Sequence, residues 1–140
     1  MTLLDAYALI AFLVGGPASA AVRAILRDGG SAVTTANIAE ALDVSARVRG
    51  LPVERSIEVL EPLFDGVLAL IPLDLPTARR AAGIRVEHYH RSSRPISLAD
   101  AILLATVRPG DRLATADPDV LAVAGGVGID TVVLPGESTR

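Results

Sequence analysis

Apolar positions along the chain fall into short continuous runs and longer runs at helical spacing. Residues 2–4 predict a strand, and residues 6–14 a helix ended by Gly15-Gly16-Pro17. A second helix over 18–27 stops at Asp28-Gly29-Gly30, and a strand follows at 32–34. An alanine-rich helix over 36–49 is broken by Gly50-Leu51-Pro52. Residues 53–63 then place Val53, Ile57 and Leu60 on one helical face, and 67–71 read as a buried strand. Asp74 caps a helix over 76–90, with Pro76 early, where its missing N–H is harmless. A basic loop occupies 91–95, and Ser97 opens a strongly apolar helix to about 107, stopped at Pro109-Gly110. The chain continues with a strand at 112–115, a short helix at 118–124, a turn at 125–128 and a strand at 131–134.

Alternating strands and helices imply right-handed crossovers and a parallel sheet between helical layers, a three-layer α/β/α architecture. The 140 residues (14.5 kDa) show no repeat, linker or low-complexity tract, so 1–140 is expected to be one domain. Half of them (51%) are hydrophobic but only 3% aromatic, which suits closely packed helices over a buried sheet.

Two residue types are missing, and their absence narrows the chemistry. Without cysteine there is no disulfide, thiolate nucleophile or cysteine-ligated metal. All 13 basic side chains are arginine, so a Schiff base or a Walker lysine is excluded. No Gly-x-Ser-x-Gly elbow occurs. Imidazole comes only from His88 and His90, two apart near the end of a helix and read as exposed. Tyr7 and Phe12 are read as core residues, and Gly125 to Gly128 as a plain turn. No secretory signal is visible, and Asp5 interrupts an N-terminal apolar run well short of the ~20 residues that cross a bilayer. A soluble, cytoplasmic protein is expected. The net charge of −3 is uneven: residues 79–94 carry Arg79, Arg80, Arg85, Arg91 and Arg94 against Glu87 alone, or +4, leaving −7 elsewhere. Such a segment suits an anionic polymer such as RNA, or simply a solvated helix face.

Carboxylates remain, 16 of them, and several fall where an open α/β sheet gathers its ligands, beyond the carboxyl ends of strands. Asp5 directly follows Leu3-Leu4, and Asp117 lies two residues past Ala114-Thr115, with Asp119 beyond. Glu40 sits early in the helix after the second strand, and Asp100 in the first turn of the helix opened by Ser97. Clustered carboxylates resist joint ionisation unless a positive charge sits among them. A hard cation such as Mg²⁺ supplies that charge and can activate water for phosphodiester hydrolysis without His, Cys or Lys. Each acid also has a structural reading. Asp100 completes a cap with Ser97, Glu40 has the same spacing from Asn37, and Asp117-Pro118-Asp119 forms a turn. Asp5, inside an apolar run, is the hardest to explain that way.

Four segments carry a resemblance: Leu3-Leu4-Asp5-Ala6-Tyr7, Asn37-Ile-Ala-Glu-Ala-Leu, Ser97-Leu-Ala-Asp-Ala-Ile-Leu-Leu-Ala and Leu113-Ala-Thr-Ala-Asp-Pro-Asp. In order and spacing they resemble the four acidic motifs of the PIN-domain family, and the chain's size resembles its VapC-type toxins. That resemblance implies a five-stranded parallel sheet of order 3-2-1-4-5 flanked by helices, and Mg²⁺- or Mn²⁺-dependent endoribonuclease activity. Asp5, Glu40, Asp100 and Asp117 would be the catalytic acids. Asp5 and Asp100 would ligate the metal directly, and Glu40 and Asp117 directly or through water, with Asp119 an alternative to Asp117. Thr115 would support the site by hydrogen bonding. The resemblance further implies a homodimer and inhibition by a small VapB-type antitoxin in the active-site groove. Two other readings are a PIN-like binding module with purely structural acids and a haloacid-dehalogenase-like phosphatase. The latter wants a second Asp where this chain has Tyr7, and a lysine it lacks.

Overall fold

Five short strands, β1 (Thr2–Leu4), β2 (Ser31–Thr34), β3 (Leu68–Ile71), β4 (Arg112–Thr115) and β5 (Asp130–Val133), pair in parallel in the order β3-β2-β1-β4-β5. This is the expected order, seen here in a computed structural model that describes residues 1–137. The helices are α1 (Ala6–Val14), α2 (Ser19–Asp28), α3 (Thr35–Arg47), α4 (Val53–Phe64), α5 (Leu75–His88), α6 (Leu98–Thr106) and α7 (Pro118–Gly126).

Successive strand residues point to opposite faces, and that period of two builds both helical layers. Leu4, Val33 and Ala114 pack with Leu9, Val22 and Leu60 from α1, α2 and α4. Their neighbours Leu3, Ala32 and Leu113 pack on the other face with Leu103 of α6 and Val120 and Val123 of α7. Register is tight at the centre, where Leu3 lies opposite both Ala32 and Leu113. β1 is therefore wholly buried, and its carboxyl end opens onto a rim flanked by β2 and β4.

Three expectations need correcting. β3 is an edge strand rather than a buried one, with Ala69 and Leu70 exposed, because only β2 pairs with it. α5 ends at His88, two residues early; beyond it His90 and Arg94 exchange backbone hydrogen bonds of 2.8 and 2.9 Å across a tight turn. His90 Nδ1 accepts from the Ser92 and Ser93 amides there, which competes with helix continuation. Gly125 and Gly126 belong to α7 rather than to a turn. The helix stops at Gly126, and the left-handed conformation of Gly128 (φ +78°) lets Ile129 N–H reach back to Ala124 O at 2.9 Å.

α5 packs along α6 through small residues, Ala81 against Ala101 and Ala105. Among the described residues no single helix is long and apolar enough to cross a membrane; α1 and α2 pass together by length and composition but meet at 104°.

Candidate active site

Asp5 ends β1 and begins α1, and its side chain serves both junctions. Its Oδ1 accepts the Ala8 N–H at 2.8 Å as the helix N-cap, and its Oδ2 accepts the Thr115 hydroxyl at 2.6 Å from the end of β4. Thr115 Oγ1 in turn accepts the Asp117 N–H at 3.1 Å, which ties the start of α7 to the same point. Asp117 caps α7 through the Asp119 and Val120 amides. Asp100 closes a capping box with Ser97 at the start of α6. Three acids thus stand at three helix N-termini, where backbone N–H groups offset part of their mutual repulsion.

Glu40 arrives differently. The structural reading of Glu40 paired it with Asn37 as a cap, but the cap is Thr34, whose Oγ1 accepts the Asn37 N–H at 3.1 Å. Glu40 therefore lies in the second turn with no capping duty, and its Oε2 is buried without a hydrogen-bond partner.

Asp5, Glu40, Asp100 and Asp117 line one open cleft of about 670 Å³, together with Ala6, Tyr7, Ala116, Pro118, Gly136 and Glu137. Asp119 is not among the lining residues. Burial, set against the hydrogen bonds from Thr115 and Ala8 and reinforced by the charges of Asp100 and Asp117, pushes the Asp5 carboxyl up to about 6. Burial also raises Glu40, with Asp100 and Asp117 adding repulsion. Asp100 is raised by burial and by Asp117 despite its bond to Ser97.

Among the described residues no three Asp, Glu or His side chains close into a ready-made metal shell. The donor set nonetheless fits an oxygen-preferring cation that keeps most of its water and takes one or two carboxylates. The unpartnered Glu40 Oε2 and the raised Asp5 and Asp100 are groups that a positive charge would relieve.

Three lining residues escaped the sequence reading. Tyr7 packs against the core as expected, yet its hydroxyl reaches the cleft wall and donates to Pro135 O at 2.7 Å. Gly136 and Glu137 come from the chain beyond β5, brought to the rim by the bond from Leu134 N to Thr115 O. The phenol spacing was visible in the sequence; the path of the tail was not.

The arginine segment is divided in its duties. Arg80 donates to Ala105 O and Thr77 Oγ1, and Arg85 donates to Ile96 O while stacking 4.4 Å from the Tyr89 ring. Both fasten α5 to α6. Arg79 and Arg91 are exposed, and Arg94 is half-buried beside its backbone bridge to His90. None of the five lines the acidic cleft.

Residues 2–126 match the family profile described as PIN domain. The chain belongs to the PIN-domain family. The phosphatase reading is thereby displaced, and residue 7 serves as a cleft-lining phenol rather than a second catalytic acid. No curated protein matches the chain by sequence. Among solved structures, the Mycobacterium tuberculosis VapC20 toxin, described as cleaving the sarcin–ricin loop, superposes with a TM-score of 0.69 at 16% identity, covering 87% of this chain and 94% of that one. A toxin–antitoxin complex from Klebsiella pneumoniae gives 0.68 at 21% identity, covering 99% and 100%. FitAcB from Neisseria gonorrhoeae gives 0.64 at 25% identity, covering 94% and 96%. The PIN chain thus shares its fold with toxins of toxin–antitoxin pairs.

Proposed function

We propose that this PIN domain, taken as one unit over 1–140, is a divalent-metal-dependent endoribonuclease and the toxin of a VapBC-type pair. The observation that carries the reading is the convergence of Asp5, Glu40, Asp100 and Asp117 on one cleft, with Asp5, Glu40 and Asp100 all raised by burial and mutual repulsion. Asp5 and Asp100 would hold Mg²⁺ or Mn²⁺ directly, and Glu40 and Asp117 directly or through water. When bound, the ion supplies a water of lowered pKa and polarises the scissile phosphate.

The chain's own residues do the positioning. Thr115 and the Ala8 amide fix both oxygens of Asp5, so that carboxylate keeps one orientation. Ser97 fixes Asp100, and the Asp119 and Val120 amides fix Asp117. The acidic rim repels phosphate unless neutralised, so RNA approaches along cationic surface, for which Arg79 and Arg91 are exposed donors free of the α5–α6 bonds, with Arg80, Arg85 and Arg94 adding to the field. An antitoxin segment occupying the cleft would inhibit by excluding substrate, and the working unit is a homodimer in the cytoplasm.

Purified protein should cleave structured RNA with Mg²⁺ or Mn²⁺ and lose that activity in EDTA and in Asp100→Asn. Cleavage that survives both controls would sink the metal–carboxylate mechanism. Absence of cleavage, with no Mn²⁺-induced rise in melting temperature, would favour the binding module.

A further inference from the structure

The chain contains one asparagine and no glutamine, so its whole supply of side-chain carboxamide is Asn37. That group is 0% exposed, in the first turn of α3. The helix cap uses only part of it: Thr34 Oγ1 accepts the Asn37 N–H and donates its own proton to Asn37 Oδ1 at 2.8 Å. These bonds fix the amide's orientation and leave Nδ2 with no acceptor. Aspartate at this position would take the Thr34 proton equally well, so the cap does not account for an amide.

Glu40 lies three residues further on the same helical face, and its Oε2 is likewise buried without a partner. The other buried side-chain atoms without partners, among the described residues, are the Ser45 and Ser56 hydroxyls, which can both donate and accept. Asn37 Nδ2 can only donate, and an ionised Glu40 oxygen can only accept. The obligate donor and the obligate acceptor stand one turn apart.

We propose that Asn37 is a positioning residue for Glu40: its Nδ2 donates to Glu40 Oε2, steadies that carboxylate toward the cleft and leaves the other oxygen for a cation. In the structure the two atoms are not bonded, so the bond requires Glu40 to change rotamer. Full burial keeps Asn37 from touching RNA, so it acts only through Glu40. A carboxamide supplies the donor without adding another negative charge to a cleft already lined by five carboxylates, which aspartate would do. The inference rests on the metal-dependent reading above for its consequence, but the bond itself is testable without activity.

In the ¹⁵N-labelled 140-residue chain the side-chain amide region of a nitrogen–proton correlation spectrum contains one NH₂ pair, that of Asn37. One proton of that pair should be shifted downfield and slow to exchange with water, and Glu40→Ala should move it upfield and speed its exchange. A pair indifferent to Glu40→Ala overturns the proposal. In a second arm, Asn37→Ser should raise the Mn²⁺ concentration for half-maximal cleavage by about 10-fold or more, with KM for RNA unchanged. It should add nothing in the Glu40→Ala background. Asn37→Ala, which removes the donor without adding charge, gives the same test if the serine variant does not fold. Equal losses in both backgrounds, or a lower melting temperature with unchanged Mn²⁺ dependence, would make Asn37 merely structural and overturn the proposal. If the wild type cleaves nothing, the nuclease reading fails while the spectrum still decides on the Asn37–Glu40 bond.

Discussion

The acidic cleft and the α5–α6 seam show opposite uses of charge. In the cleft, burial raises Asp5, Glu40 and Asp100, and neighbouring carboxylates, Asp117 in each case, add to the rise, so their ionisation works against the fold. Along the seam, Arg80 and Arg85 are satisfied by main-chain carbonyls of α6 and its preceding turn, and their charge works for the fold. Charge in the cleft is left uncompensated, whereas the +4 segment is already partly engaged in packing.

The strongest way to break this contrast is Asp5→Asn. It should lower metal-dependent cleavage by on the order of 100-fold or more, at least what losing an outer-shell partner costs. Asp5 sits near pKa 6 in the fold against an ordinary 3.8, so the native state binds its proton more tightly than the unfolded chain does. Its contribution to stability is therefore fully present below about pH 3.8 and is lost as pH rises through 6, by up to about 3 kcal/mol. Urea denaturation of metal-free protein at pH 4 and pH 7 should show that loss in the wild type and a smaller one in Asp5→Asn. Identical profiles would mean that Asp5 carries no such strain.

A second expectation concerns relief of the same charge. Mn²⁺ at about 100 times its Kd should stabilise the native state by roughly 2.7 kcal/mol. The shift in melting temperature should be larger at pH 7 than at pH 5, since protons compete for the carboxylates. Equal shifts at both pH values would place the ion elsewhere.

On the seam, Arg80→Ala should cost about 1 kcal/mol through loss of its bonds to Ala105 O and Thr77 Oγ1, with kcat at saturating RNA unchanged. A large loss of cleavage at unchanged stability would reverse the assignment of its duties. The smallest effect belongs to Arg79→Ala and Arg91→Ala. Each should leave the melting temperature alone and reduce the slope of log affinity for single-stranded RNA against log salt by about 0.7, one phosphate's worth.

The sequence foretold most of this frame for identifiable reasons. Short apolar runs mark the strands, and glycine pairs and prolines punctuate most helices, so element positions were legible, while the strand order came only with the resemblance of the four acidic segments. Asp5 was legible as a charge inside an apolar run. The environment of Glu40 was not, because Asn37 and Thr34 are both good caps and only the folded backbone selects Thr34. The burial of β3 was overestimated because an apolar run does not report whether it has one neighbour or two. Gly136 and Glu137 carried no local signal, since their place on the rim depends on a contact with Thr115 some twenty residues away.

The chain has no tryptophan and two tyrosines, one in each of the contrasted regions. Tyr7 touches the cleft wall through Pro135 O, and Tyr89 lies under the Arg85 guanidinium. Near-ultraviolet emission of the protein is therefore a two-channel optical signal, separable by the single variants Tyr7→Phe and Tyr89→Phe. A cation or antitoxin segment entering the cleft would be read in the first channel and RNA lying along the arginine face in the second, with no dye attached.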